Sequence, residues 1–114
     1  MKFTASQIDL TLELCGKADE QGKKETKIFY PHKSINADFA DEIIRQTEIY
    51  VKAQQDLPSS EQDKVFVGNL KFLSWMYKDI DVAWVRSNFN ALEINNIKDW
   101  AFQGLMGIKK DEES

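Results

Sequence analysis

At 114 residues, with 42 % apolar and 30 % charged side chains, the chain has the length of one globular domain and the composition of a folded one. Nineteen acidic side chains against fifteen basic ones leave a net charge of −4, which excludes a general attraction to phosphate backbones. Cys15 is the only cysteine, so no intramolecular disulfide can form and a reducing, cytoplasmic compartment is expected. No apolar run of signal-peptide type follows Met1, and the densest apolar stretch, Val65 to Tyr77, is broken by Lys71. It falls short of the roughly 20 residues that a spanning helix needs, so no membrane segment is expected.

Residues 4–21 fit two patterns. Ile8, Leu10, Leu12 and Leu14 alternate with polar residues as in a half-buried strand. Thr4 and Gln7, however, have capping-box spacing, Ile8, Leu12 and Cys15 share a helical face, and Gly22 stands where a helix would stop. The helix is the favoured reading. Residues 22–35 lack helical periodicity, and Pro31 pushes Tyr30 towards extended geometry, so a connection with a short strand at 27–30 is expected.

The clearest helix covers residues 37–55. Phe39, Ala40, Ile43, Ile44, Thr47, Tyr50 and Val51 fill one face, Asn36 is a natural N-cap, and Asp38, Asp41 and Glu42 suit the positive end of the helix dipole. After Leu57-Pro58, a serine cap at 59–60 points to a second helix over 61–78, apolar around most of its circumference. Val67 and Trp75 project away from its main apolar face, beside Lys64, Lys71 and Lys78, which recur every seven residues. Asp81 caps a short helix whose Val82, Val85, Phe89 and Leu92 share a face. A last helix starts after Asn95 or Asn96, buries Ile97, Ala101, Leu105 and Ile108, and is weakened by Gly104 and Gly107. The expected fold is therefore all-α, a compact bundle of four to five helices in one domain over 1–108, with a charged, disordered tail at 109–114. The alternative is an α+β form in which residues 7–14 and 27–30 pair as a small N-terminal hairpin.

Most catalytic signatures fail on chemistry. The segment Gly16 to Lys24 has five residues between its glycines, a lysine where a magnesium-binding hydroxyl belongs, and Asp19 and Glu20 against the phosphate. His32 is the only histidine, so a triad or histidine-rich metal site cannot assemble, and a Cys15–His32 pair would depend on the fold to bring it together. Asp38, Asp41 and Glu42 are explained by the helix dipole without a cation. No catalytic residue, metal or cofactor is assigned, and no enzymatic activity is expected.

Two features remain. Eight of the thirteen aromatic residues lie after position 65, and tryptophan is enriched at contact hot spots. This makes Lys64, Val67, Lys71, Trp75 and Lys78 a candidate protein-docking or self-association surface, although a central helix packed on several neighbours would also be apolar nearly all round. The expected function is a small adaptor, assembly subunit or inhibitor working by protein–protein contact. The second feature is the basic–aromatic segment 23–33, with Lys23, Lys24, Lys27, Phe29, Tyr30, His32 and Lys33. It suggests as an alternative a nucleic-acid-associated accessory subunit, since backbone attraction plus base stacking is how single strands are held. The small size also fits an inhibitor of a nucleic acid-processing complex of phage or mobile-element origin, but the carboxylates are spread along the chain and not massed as a mimic of nucleic acid would need.

Overall fold

The computed structural model describes residues 1–3 and 8–113, with side chains described through 108. The chain is α+β, which corrects the all-α expectation. The hairpin β1 (Leu12–Ala18) and β2 (Lys24–Pro31) is followed by helix α1 (Ala37–Gln55), a single 3₁₀ turn at Ser59–Glu61 and helix α2 (Val65–Met76). A two-residue strand β3 (Tyr77–Lys78) then leads to α3 (Val82–Asn88) and α4 (Ala91–Glu113). The three strands form one antiparallel sheet in the order β1-β2-β3.

The period-two pattern decides the N-terminal segment. Leu10, Leu12 and Leu14 are all buried, while Glu13 and Cys15 between them face solvent. A helix would have grouped Leu12 with Ile8 and Cys15, both of which are exposed. Partner and packing settle the choice: β2 supplies the ladder, pairing Leu12 with Phe29 and Leu14 with Lys27. Gly16 supplies the room, since a Cβ there would lie 2.8 Å from Asn88 Oδ1 and 3.0 Å from the Trp84 ring. The hairpin alternative was thus right in kind, but β1 starts five residues later than the paired segment it named. The capping-box residues Thr4 and Gln7 lie outside the described residues.

The turn that joins the strands explains Gly16 to Lys24. Asp19 accepts hydrogen bonds from the backbone N–H groups of Gln21 and Lys23, both at 2.8 Å, and Gly22 takes a φ of 78° that other residues resist. Gly22 therefore closes a hairpin and does not end a helix.

Helix α1 forms as its sequence dictates, with the Asn36 side chain accepting from the Phe39 N–H at 2.9 Å and Phe39, Ala40, Ile43 and Ile44 buried. Helix α2 is shorter than 61–78. It begins at Val65 without a side-chain cap, and it ends at Met76 because Tyr77 turns to extended geometry and enters the sheet. Asp81 does cap α3, accepting from the Trp84 N–H at 3.0 Å. Helix α4 starts earlier than expected: Asn90 accepts from the Glu93 N–H at 2.8 Å while Glu93 accepts from the Asn90 N–H at 3.0 Å, a reciprocal capping box. Leu92 consequently sits in the first turn of α4, exposed. The α4 backbone continues through Glu113, and the expectation of a disordered tail at 109–114 concerns side chains, and a last residue, outside the described set.

One core joins the inner face of the sheet to the helices. Leu10, Leu12, Leu14 and Phe29 meet Phe39 and Ile43 of α1, Phe72, Leu73 and Met76 of α2, and Ala101 and Leu105 of α4. Gly104 permits the closest approach, with Leu10 Cδ2 lying 2.6 Å from where a Cβ would be. Asn69 is buried between α2 and α4, donating to Asn95 Oδ1 at 3.3 Å. Tyr77 is 1 % exposed and donates its hydroxyl to the Leu10 carbonyl at 2.7 Å, and burial raises its pKa well above the ordinary phenol value. The molecule is only 20 Å deep along its shortest axis, enough for two layers of elements, and the outer face of the sheet stays uncovered.

The Tyr77 hydroxyl gives a direct test of this arrangement. Tyr77→Phe leaves the Leu10 carbonyl buried without its donor and should destabilise the fold by about 1–3 kcal/mol, measured as a lower urea midpoint with an unchanged slope.

Candidate interaction surface

Of the five residues grouped around Trp75, the structure brings two together. Trp75 is half-buried and meets Tyr50 of α1 edge-to-face, with ring centroids 5.7 Å apart. The Tyr50 hydroxyl donates to Asp63 Oδ2 at 2.7 Å, Lys71 Nζ donates to the same oxygen at 2.8 Å, and the Lys71 ammonium lies 5.0 Å from the Tyr50 ring centroid. Burial, then the hydrogen bond and charge of Asp63, push the Tyr50 phenol up to about 12. Hydrogen bonds from Lys71 and Tyr50 hold the Asp63 carboxyl below its ordinary value. These contacts form a strut between α1 and the start of α2, with the polar groups satisfied by one another. Lys64 is exposed immediately before α2 and Val67 is half-buried on it. Lys78 leaves the group, because it belongs to β3 and pairs across from Tyr30.

The basic–aromatic segment is divided between two faces by strand alternation. On the inner side, Phe29 is buried with its ring 6.4 Å from Trp84. Lys27 there pairs with Asp81 at 3.2 Å and Glu25 at 3.8 Å, with its ammonium 5.1 Å from the Trp84 ring centroid. The Trp84 indole N–H completes this corner by donating to Glu25 Oε2 at 3.2 Å. The Asp81 carboxyl is held below its ordinary value by the backbone N–H of Trp84 and by Lys27. Lys23 lies in the turn, Lys33 is paired with Glu42 at 3.1 Å, and His32 sits with its Nε2 3.3 Å from the Ser74 carbonyl. The outer side is different. Ile28 is 48 % exposed and Tyr30 60 %, and Lys24 lies on the same strand face. Lys78 of β3 stands opposite Tyr30, and exposed Glu13, Cys15 and Lys17 complete the face from β1.

This outer face escaped the linear reading, because Lys17 and Lys78 are far from Tyr30 in sequence and join it only through strand pairing. Once residues 12–18 are placed as a strand, odd-numbered Glu13, Cys15 and Lys17 are legible as its solvent side. Beside the free rim of β1 runs a groove of about 470 Å³, lined by residues 11–14 and by Asn96, Ile97 and Trp100 of α4, with Trp100 46 % exposed. Cys15 and His32 do not meet. Cys15 pairs with Thr26, and His32 lies six residues further along, about 20 Å at strand spacing. Among the described residues, no three of His, Cys, Asp and Glu are gathered where a metal ion would bind.

The depressed carboxylates carry a sign. A group whose folded-state pKa is lowered contributes stability above its unfolded value, 3.8 here, and loses it as the pH falls through the folded value. The urea midpoint, followed by tryptophan fluorescence, should hold between pH 7 and 5 and fall below about pH 4. The drop should be shallower in the double variant Asp63→Asn, Asp81→Asn.

Comparison of the chain with protein-family models, with curated proteins and with solved structures finds no match.

Proposed function

We propose that the protein is a small, non-catalytic interaction module that docks a protein partner through the β1–β2 hairpin. The observation that supports this most is the one-sided sheet: its inner face is buried, while its outer face carries Ile28 and Tyr30 in solvent beside the free rim of β1. Tyrosine contributes large contact area at low entropic cost, and a sheet rim offers unpaired backbone groups to an added strand. The Trp75 strut is better explained as architecture, since its aromatic edge and its charges are occupied within the chain. The exposed thiol of Cys15 fits a reducing, cytoplasmic setting. No helix among the described residues is long and apolar enough to cross a membrane.

Replacing Ile28 with Thr and Tyr30 with Ser together should leave the unfolding midpoint within about 0.5 kcal/mol of wild type, because both side chains are exposed. The same variant should lose the proteins that co-purify with the tagged wild-type chain. Retention of every partner by a folded variant would dismiss the hairpin as the docking surface. Trp75→Ala should do the reverse, lowering stability while any partner bound by the residual folded fraction is kept.

A second reading is favoured by one observation: Lys24 and Lys78 flank Tyr30 on the open face, a small basic surface with an aromatic platform. It requires binding of a fluorescent single-stranded oligonucleotide at low salt. The dependence of log K on log salt should then weaken by about 0.7 for each of Lys24→Ala and Lys78→Ala. Anisotropy that stays flat at low salt removes this reading.

A further inference from the structure

The rim of β1 identifies its own partner by charge. Among the described residues no strand lies beyond β1, and the groove against Ile97 and Trp100 leaves room alongside residues 11–14. Two copies of one strand related by a two-fold axis perpendicular to the sheet keep their faces only in registers centred on a residue. Centring on Glu13 sets that carboxylate against its own copy. Centring on Leu14 sets Glu13 opposite Cys15 and Lys17 opposite Thr11, with no charge matched. Centring on Cys15 sets Glu13 opposite Lys17 and, by symmetry, Lys17 opposite Glu13, so that two cross-strand ion pairs form on the solvent face.

We propose that the docking partner of the hairpin is a second copy of this chain, with β1 pairing antiparallel to β1 in the register centred on Cys15. The proposal rests on the reading of the hairpin as the interaction surface and names its occupant. Two three-stranded sheets become one of six. The shape of β1 limits the contact to a closed dimer. The register shift between Cys15 and Ala18 breaks the strand, and the Lys17 N–H is already donated to Asn88 Oδ1 at 3.0 Å, so backbone pairing is confined to the stretch around Cys15. The other rim of the sheet is the two-residue β3, too short to propagate a ladder.

Charge reversal tests the register as well as the dimer. Glu13 and Lys17 are exposed, and neither belongs to an ion pair among the described residues, so Glu13→Lys and Lys17→Glu should each leave the fold intact. Each variant alone puts like charges opposite each other twice, and its dimer dissociation constant, from sedimentation equilibrium, should rise at least tenfold. Mixed in equal amounts, the two variants should recover association close to that of wild type, because the lysine introduced at position 13 then faces the glutamate introduced at position 17. A dimer indifferent to both substitutions, or a mixture that stays dissociated, overturns the proposal. So does a wild-type chain that remains monomeric at millimolar concentration. In that last case the hairpin still stands as a docking surface for another protein if the Ile28→Thr, Tyr30→Ser variant loses its partners, and falls with the dimer if it keeps them.

Discussion

The hydroxyl of Tyr77, donated to the Leu10 carbonyl where water is excluded, joins segments 67 residues apart. Much of the molecule is arranged around that bond. Leu10 leads into β1 and inserts against Gly104 of α4, while Tyr77 ends α2 and opens β3. The same residue pairs with Pro31, and the neighbouring His32 N–H reaches the Met76 carbonyl at 3.0 Å. One buried phenol therefore fixes where the hairpin sits on the helices and where the longest apolar helix stops. Without its acceptor the ring would carry an unpaired polar group into the core, which explains why the chain spends a two-residue strand on placing it.

That arrangement also divides the aromatic side chains by role. Those on α2 and α4 fill the core or brace it, as Phe72 does against Phe102 at 5.9 Å and Trp75 against Tyr50. Trp84 binds α3 to the hairpin through Phe29, Lys27 and Glu25. Tyr30 and Trp100 have no such task, and both lie on the side of the molecule that the hairpin leaves open. A concentration of aromatics in the second half of the sequence is thus mostly architecture, with the residual surface signal resting on two residues.

Local chemistry was legible wherever it was self-contained. Asn36 and Asp81 cap as their types suggest, and the buried stripe of α1 follows helical period. Residues 8–15 satisfied two periods at once, and the choice rested on a partner strand and on the space that Gly16 leaves for Asn88 and Trp84, neither visible locally. The lysines at 64, 71 and 78 align only if the helix runs past Met76, and the burial of Tyr77 ends it there. The capping box of Asn90 and Glu93 was present in the letters, but Leu92 also suited the face of the preceding helix. Every miss came from a contact across more than one element.

The short helix α3 has a consequence of its own. It has seven residues and one buried side chain, Val85, and a helix that short has little stability by itself. What holds it is a set of partly solvated polar and aromatic links: Asp81 to Lys27, the Trp84 indole to Glu25, and Asn88 to the backbone of Lys17. Such links weaken with ionic strength and release together, so α3 is the natural unit of sub-global opening. When it lifts, amide protons along it exchange while α1, α2 and α4 stay closed, and the inner surface around Phe29 and Gly16 is briefly hydrated. The hairpin then has two faces in water instead of one.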